Sequence, residues 1–266
     1  MSFYGTSFSF DGVSCEEFGL MLYDVDGTSQ GNSKYATQDI IEDRLPQRSQ
    51  SLFYGTNYKD GLNFTLVFGA DAYAAQRMEP VDRWEMQKIS AWLTDHNEYK
   101  WLVIDQEDMQ KVRYHCILTG LEVLDLAGNK WAFKCEVHCD SPYGYLLPKT
   151  FEYNVDGIEE VVLQSDSSSN SFYYPDVTIE LNDSSDFTIE NSDDPSGAFE
   201  LSDLTQTNDT ITIKGSSGVM VGESGLNLYQ NCNFKFPRLK RGDNHLTLMG
   251  NGTVKFTCEF PVMIGG

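Results

Sequence analysis

A single amphipathic helix is predicted in this chain, over Pro80–Thr94, and the segments on either side of it alternate in the manner of strands. Pro80 suits the first helical position, and Asn97 suits a left-handed stop beyond the last turn. A lone helix with an apolar face needs a sheet to pack on, so the chain is predicted to be mainly β. The helical face expected to be buried comprises Val81, Trp84, Ile89, Trp92 and Leu93.

Strands are predicted on both sides of this helix. Before it we expect strands at Phe3–Phe10, Leu20–Val25 and Leu62–Phe68, with a polar loop at Gly27–Lys34. After it comes Lys100–Ile104, followed by two segments with period-two alternation around a turn near Gly128–Asn129. Such alternation over both arms is typical of a half-buried antiparallel hairpin. The residues predicted to face inward are Val112, Tyr114, Cys116 and Leu118 on one arm, and Trp131, Phe133, Cys135, Val137 and Cys139 on the other.

The stretch Tyr35–Tyr58 does not follow either period. It carries many charges, yet it also contains large apolar residues at spacings that no core would use. We interpret it as a long hairpin or arm that stands away from the body, and an ordinary edge hairpin is the alternative. The candidate subunit-interface residues on this arm are Ile40, Ile41, Leu45, Phe53 and Tyr54.

A domain boundary is predicted at the Pro- and Gly-containing stretch Ser141–Pro148, which gives domains 1–145 and 146–266. Beyond it the pattern predicts short strands separated by Gly, Asn, Asp and Ser turns, with no further helix. That arrangement is typical of an antiparallel β-sandwich. The inward-facing residues are predicted to be Val177, Ile179, Leu181, Phe187, Ile189, Ile211, Ile213, Leu246, Leu248, Val254, Phe256, Cys258 and Phe260.

The chain of 266 residues has a formal net charge of −21, which argues against nucleic acids as partners. Between Lys149 and Lys214 there is no Lys, Arg or His, whereas the stretch holds 15 Asp or Glu. An acidic surface of this kind repels phosphate backbones, so no specific nucleic-acid binding is expected. The favoured interpretation is a solubility-promoting face. A calcium site within Asp183–Asp194 is the alternative, although the stretch lacks the spacing and glycine of an EF-hand loop.

No targeting or membrane segment is predicted. The first residues lack a basic and apolar leader, and no apolar run reaches the about 18–20 residues of a membrane span. The six cysteines show no CxxC pair and are expected to be reduced thiols in a protein made in a cytoplasm. A zinc site from Cys116, Cys135, His138 and Cys139 is disfavoured, because His138 falls on the opposite strand face from the cysteines.

No catalytic motif is found. HExxH and P-loop patterns are absent, and the four histidines lie far apart. Adjacent carboxylates such as Glu159-Glu160 face opposite sides of a strand, so adjacency is no evidence for a glycosidase pair. We therefore expect no enzyme activity, no catalytic residues, no cofactor and no bound metal. Hydrolysis by carboxylates that meet across strands is the alternative left open.

Four segments resemble the distal tail protein family of long-tailed, non-contractile bacteriophages. They are the opening FSFDGVSCEEFGLML, the helix EPVDRWEMQKISAWL leading into YKWLVI, the exit hairpin FKCEVHCDSPYGY, and the ending GDNHLTLMGNGTVKFTCEFP. Each segment is moderately specific, and their order along nearly the whole chain is the stronger signal.

The resemblance implies a structural protein with two modules. The N-terminal one would be a β-barrel-like module of the tail-tube type with one helix and an arm at 35–58 that reaches a neighbouring subunit, and the C-terminal one a galectin-like sandwich. Six copies would form a homohexameric baseplate hub that joins the tail tube protein to the tail-tip and lysin protein, in a virion component made in the host cytoplasm. A receptor-binding protein is a further partner that the resemblance suggests.

A carbohydrate-binding protein is the alternative function, acting through the sandwich in adhesion to the host surface. Glycan sites commonly use exposed aromatic side chains beside polar groups. Tyr173 and Tyr174 are the candidate glycan contacts, although all four Trp residues lie at or before position 131.

Overall fold

The computed structural model describes residues 5–25, 38–70, 80–106, 112–126, 129–225 and 227–264. The predicted loop at Gly27–Lys34 lies outside these residues, as does residue 128 of the predicted turn. The chain divides into two compact units, one of Met1–Tyr145 with Met263–Gly266 and one of Leu146–Val262.

Eighteen strands and one α-helix occur among the described residues. They are β1 (Gly5–Phe10), β2 (Val13–Ser14), β3 (Leu20–Val25), β4 (Gln38–Asp43), β5 (Leu52–Tyr58), β6 (Asn63–Ala70), α1 (Arg83–Thr94), β7 (Lys100–Gln106), β8 (Val112–Leu126), β9 (Asn129–Cys139), β10 (Gly144–Leu146), β11 (Lys149–Ser165), β12 (Asp176–Leu181), β13 (Phe187–Asn191), β14 (Phe199–Leu201), β15 (Thr210–Lys214), β16 (Val219–Gly222), β17 (Gly242–Cys258) and β18 (Pro261–Val262).

The sheet of the first unit is antiparallel and curls toward a barrel. Its strand order is β2-β1-β7-β8-β9-β6-β3, and β1 lies close to β3 at the far end. The alternation predicted for β8 and β9 is confirmed over Val112–Leu118 and Phe133–Cys139, whose inward-facing residues are buried, whereas Trp131 is only half-buried. Aromatic rings fill the interior: Phe68 lies 5.1 Å from Phe8 and 5.4 Å from Phe133 between ring centroids.

The helix exists and ends at Thr94 as predicted, but it starts later than predicted. It begins at Arg83, because Asp82 is the N-cap: its carboxylate accepts hydrogen bonds from the backbone N–H groups of Trp84 and Glu85, both at 2.8 Å. The Glu85 carboxylate accepts the Asp82 N–H in return, which completes a capping box. The helix ends at Thr94, and the residue after it has φ −93°, so no left-handed stop at Asn97 is used.

The prediction that Trp84 belongs to the core is wrong, since 74% of its surface is exposed. Ile89 and Leu93 are the fully buried residues of the helix. Trp84 precedes Ile89 by five residues, and at about 100° per residue it points about 140° away from the buried face. Trp92 does pack inward: its ring stacks on Phe18 at 4.8 Å, and its Nε1 donates to the Phe10 carbonyl oxygen at 3.0 Å.

The second unit is a sandwich built around β17. One edge of β17 pairs with β11 over the full length of both strands, from Lys149↔Cys258 to Ser165↔Gly242. The other edge pairs first with β13 and then with β12. The change of partner falls at Gly250 and Gly252, where φ is +142° and +151°, a region that side chains rarely allow.

The inward faces of these strands form one apolar core. Every inward-facing residue predicted for this unit is buried, and the strand order is β14-β13-β17-β12-β15-β16. The predicted fold class, mainly β with a barrel-like module that carries one helix and a galectin-like sandwich, is confirmed.

Candidate assembly interface

A two-stranded sheet of the first unit carries several exposed apolar side chains. β4 and β5 pair with each other, with Gln38↔Tyr58 at one end and Asp43↔Leu52 near the tip. They join neither of the larger sheets among the described residues. Every residue of β4 is exposed. An isolated hairpin of this kind is marginally stable in water, so its apolar side chains need a second surface.

The five predicted interface residues are all exposed, and the structure brings them onto this one hairpin. Four of them lie on the paired strands, and Leu45 lies at the tip. The exposed fractions are 64% for Ile40, 50% for Ile41, 44% for Leu45, 64% for Phe53 and 63% for Tyr54. Ile41 pairs with Gly55 on the neighbouring strand, and glycine has no side chain that could cover Ile41. Both faces of the hairpin therefore present apolar groups to solvent.

Local hydrogen bonds shape the tip of the hairpin. The Ser51 hydroxyl donates to the Glu42 carboxylate at 2.6 Å, and the Arg48 N–H donates to the Leu45 carbonyl oxygen at 3.2 Å. Gln47 adopts a left-handed turn conformation, with φ +72°. The tip is thus a formed turn that holds Leu45 outward.

The root of the hairpin is anchored to the body of the first unit. The Tyr58 ring meets the Tyr143 ring edge-on at 5.6 Å. The Cys139 N–H donates to the Leu62 carbonyl oxygen at 2.9 Å. Gly61 lies so close that an added Cβ would stand 2.1 Å from the Cys139 carbonyl oxygen. The hairpin is therefore an exposed element on a tightly packed base.

The two candidate glycan residues occupy different environments. The Tyr173 backbone N–H donates to the Leu239 carbonyl oxygen at 2.8 Å, and the Leu239 N–H donates to the Tyr173 carbonyl oxygen at 2.7 Å. The Tyr173 hydroxyl oxygen accepts a hydrogen bond from the Glu259 N–H at 2.7 Å. Burial raises the pKa of the Tyr173 hydroxyl. These contacts give Tyr173 a structural role, whereas Tyr174 is 42% exposed. A glycan contact at these residues stays a prediction.

The acidic stretch of the second unit contains an ion-pair cluster that the sequence did not predict. Arg238 donates to both oxygens of the Asp194 carboxylate at 2.8 and 2.7 Å, and its guanidinium lies 4.2 Å from the centre of the Phe172 ring. Burial acts to raise the pKa of Asp194, but hydrogen bonds from Arg238 and Ser196 outweigh it and lower the pKa to about 2.

The carboxylate of the neighbouring residue, Asp193, also accepts hydrogen bonds from donors within the protein. Lys240 donates to Asp193 at 2.7 Å, and the backbone N–H of His245 donates to it at 3.0 Å. The hydrogen bonds from Lys240 and then His245 hold the pKa of Asp193 well below its usual range. These carboxylates serve as structural acceptors, and no group of three or more metal-ligating residues occurs in the described part of the chain.

The cysteine and histidine positions follow the strand pattern. Cys116, Cys135 and Cys139 are buried free thiols. His138 lies on the exposed face, where its Nδ1 lies 2.6 Å from Asn63 Oδ1. The geometry thus keeps the imidazole apart from the three thiols.

The fold and the hairpin together define a class: a β-rich structural subunit with an apolar element outside its own core. Residues 3–141 match the family model described as phage tail protein N-terminal domain, and residues 143–258 match the one described as phage tail C-terminal domain. The chain belongs to this family of phage tail proteins, which indicates a component of the virion. The family and fold point to a structural role.

A solved structure shares the fold. The chain is similar to the crystal structure of the Dit protein of phage SPP1, with a TM-score of 0.66, 12% sequence identity, and coverage of 97% of this chain and 100% of that one. That protein is described as a paradigm of the hub adsorption apparatus in phages that infect Gram-positive bacteria. The resemblance to distal tail proteins is therefore confirmed for the fold.

A search of curated proteins finds no significant match. Among the described helices, none has the length and apolarity that crossing a membrane requires.

Proposed function

We propose that six copies of this chain form a closed ring at the distal end of the phage tail. In the ring, the β4–β5 hairpin of each subunit lies on the next subunit. The main support for this proposal is the exposure of Ile40, Phe53 and Tyr54 on a hairpin whose root is firmly packed. A heterologous contact of this kind uses two different surfaces of each copy, and it generates a ring when the rotation closes.

The free energies of burial and association favour a ring over an open dimer. Burying a whole large apolar side chain contributes about 1.5–3 kcal/mol, and roughly half of each of the five hairpin side chains remains to be buried. One interface therefore gains on the order of 4–7 kcal/mol from these residues, against an association cost of about 4–15 kcal/mol. The contact that closes the ring forms within one assembly and does not incur the full association cost again, so closure stabilises all the contacts.

In this proposal the ring is a baseplate hub between the tail tube protein and the tail-tip protein that carries the lysin and receptor-binding parts. The similarity to the SPP1 hub protein supports this placement. The net charge of −21 agrees with a tail component that does not bind nucleic acid specifically. The chain has a structural function with no catalysis, and it is made in the host cytoplasm before assembly.

The test replaces residues 39–57 with a two-residue Asn-Gly turn. Gln38 and Tyr58 are paired, so a short turn can join them without moving the root. We expect the variant to fold, with near-native circular dichroism and thermal transitions, and to stay monomeric where the unchanged chain forms a hexamer by light scattering. A hexamer that persists without the hairpin would overturn the proposed interface.

A further inference from the structure

Two buried cysteines lie directly opposite each other in the first unit. The register of β8 and β9 pairs Cys116 with Cys139, and both are free thiols. The other described core cysteines have non-cysteine partners, such as Leu66 opposite Cys135 and Lys149 opposite Cys258. The pair is thus distinct from the ordinary core cysteines of this chain.

The backbone hydrogen bonds show which kind of antiparallel pair this is. The Asp140 N–H donates to the His115 carbonyl oxygen at 3.1 Å, so His115 and Asp140 form the hydrogen-bonded pair. The Cys139 N–H points the other way and donates to Leu62. Cys116 and Cys139 are therefore a non-hydrogen-bonded pair, for which the Cα atoms lie about 4.5 Å apart. A disulfide accepts Cα separations of about 4.4–6.8 Å.

We propose that Cys116 and Cys139 are a site of disulfide formation once the protein has left the reducing cytoplasm as part of a virion. The virion location follows from the family, whereas the pairing itself rests on the register and does not depend on the proposed ring. Structural disulfides persist outside the cell and are rare in the cytoplasm.

A small-molecule disulfide such as oxidised glutathione supplies the oxidant. Cys139 is 7% exposed and Cys116 is fully buried, so the Cys139 thiolate attacks first and releases one glutathione thiolate. The Cys116 thiolate then attacks the Cys139 sulfur, forms the Sγ–Sγ bond and releases the second. The two protein thiols lose two protons and two electrons, and oxidised glutathione becomes two thiols.

The environment sets the rate of this step. The hydrogen bond between the two thiols and then burial raise the pKa of Cys116. Little Cys116 thiolate is present at neutral pH, so the link forms slowly there and faster as pH rises. Its effect is local: Cys139 also carries the backbone bond to Leu62 at the root of the hairpin. The link therefore joins β8 and β9 beside the backbone bond that holds Leu62 at that root.

The test incubates the folded full chain with oxidised glutathione at pH 7 and pH 9, followed by non-reducing peptide mapping. We expect a linked Cys116–Cys139 peptide, the loss of two hydrogens from the intact mass, and faster formation at pH 9. The melting temperature of the first unit should rise by roughly 5–10 °C and fall again with dithiothreitol.

Two variants complete the experiment. Cys258→Ala removes a buried cysteine without a cysteine opposite and should leave the linkage unchanged, whereas Cys139→Ala should abolish it. Should Cys139→Ala fail to fold, the peptide map of the unchanged chain decides alone. A folded chain that keeps all its thiols after saturating oxidant, or that links a different pair or two chains, would overturn the proposal.

Discussion

The guanidinium group of Arg238 holds the carboxylate of Asp194 with two hydrogen bonds, at 2.8 and 2.7 Å, across 44 residues of sequence. The Asp194 side chain is only 4% exposed, so the pair fastens the loop after β13 to the segment before β17. Breaking a buried pair by removing one partner leaves an uncompensated charge.

The first prediction concerns the acid stability of the second unit. The folded-state pKa of Asp194 is about 2, below its usual 3.8. A lowered pKa stabilises the fold above the unfolded-state value, and this contribution is lost as pH falls from about 4 to 2. We expect about 2 kcal/mol of stability to disappear over that range, measured by urea unfolding at successive pH values. In Arg238→Met this pH dependence should weaken, and an unaltered pH profile would contradict the assignment.

The second prediction concerns the helix cap. Asp82→Ala removes the acceptor of two backbone N–H groups and should cost about 1 kcal/mol of first-unit stability in urea unfolding. Asp95→Ala is the matched control at the other end of α1, where an acidic residue opposes the helix dipole. That change should be neutral or slightly stabilising. Equal losses from the two variants would show that the capping box contributes nothing specific.

The third prediction concerns the root of the hairpin. Gly61→Ala places a methyl group against the Cys139 carbonyl oxygen, and the backbone has to shift. We expect a loss of about 1–3 kcal/mol and faster amide exchange at Leu62 and Cys139. Asp60→Ala, at the exposed neighbouring position, should change stability by less than about 0.5 kcal/mol. A Gly61→Ala chain with unchanged exchange at the root would refute the close packing.

The fourth prediction compares two isoleucines of similar exposure. Ile40 on the hairpin is 64% exposed and Ile158 on β11 is 67% exposed. Ile40→Ser should weaken each ring contact by about 1 kcal/mol, and the loss repeats at every interface, so the hexamer should require a much higher concentration. Ile158→Ser should leave the assembly unchanged. Analytical ultracentrifugation of both variants measures this, and equal effects would argue against a hairpin-specific contact.

Much of the fold could be predicted because period-two alternation is a local signal. Buried residues alternate with more exposed ones along β12 and along residues 244–248 and 254–258 of β17, so the sequence itself shows the face. The hairpin residues show the opposite signal, since Ile40 and Ile41 are apolar neighbours that no single strand face can bury together.

Other features could not be predicted, because they depend on angles or on distant partners. Approximate spacing assigns Trp84 to the core, whereas five residues of helix rotate it away from Ile89. The pairing of Asp194 with Arg238 leaves no local pattern, because nothing near either residue indicates the other. The structural role of Tyr173 likewise depends on Leu239 and Glu259, which are remote in sequence.

The most direct test of the central claim is electron microscopy of the purified chain across a range of concentrations. The account predicts six-membered rings in which the density of residues 38–58 of each subunit lies on its neighbour, with Phe53 and Tyr54 buried in the contact. Particles that stay monomeric at every concentration, or rings in which this hairpin points into solvent, would contradict it.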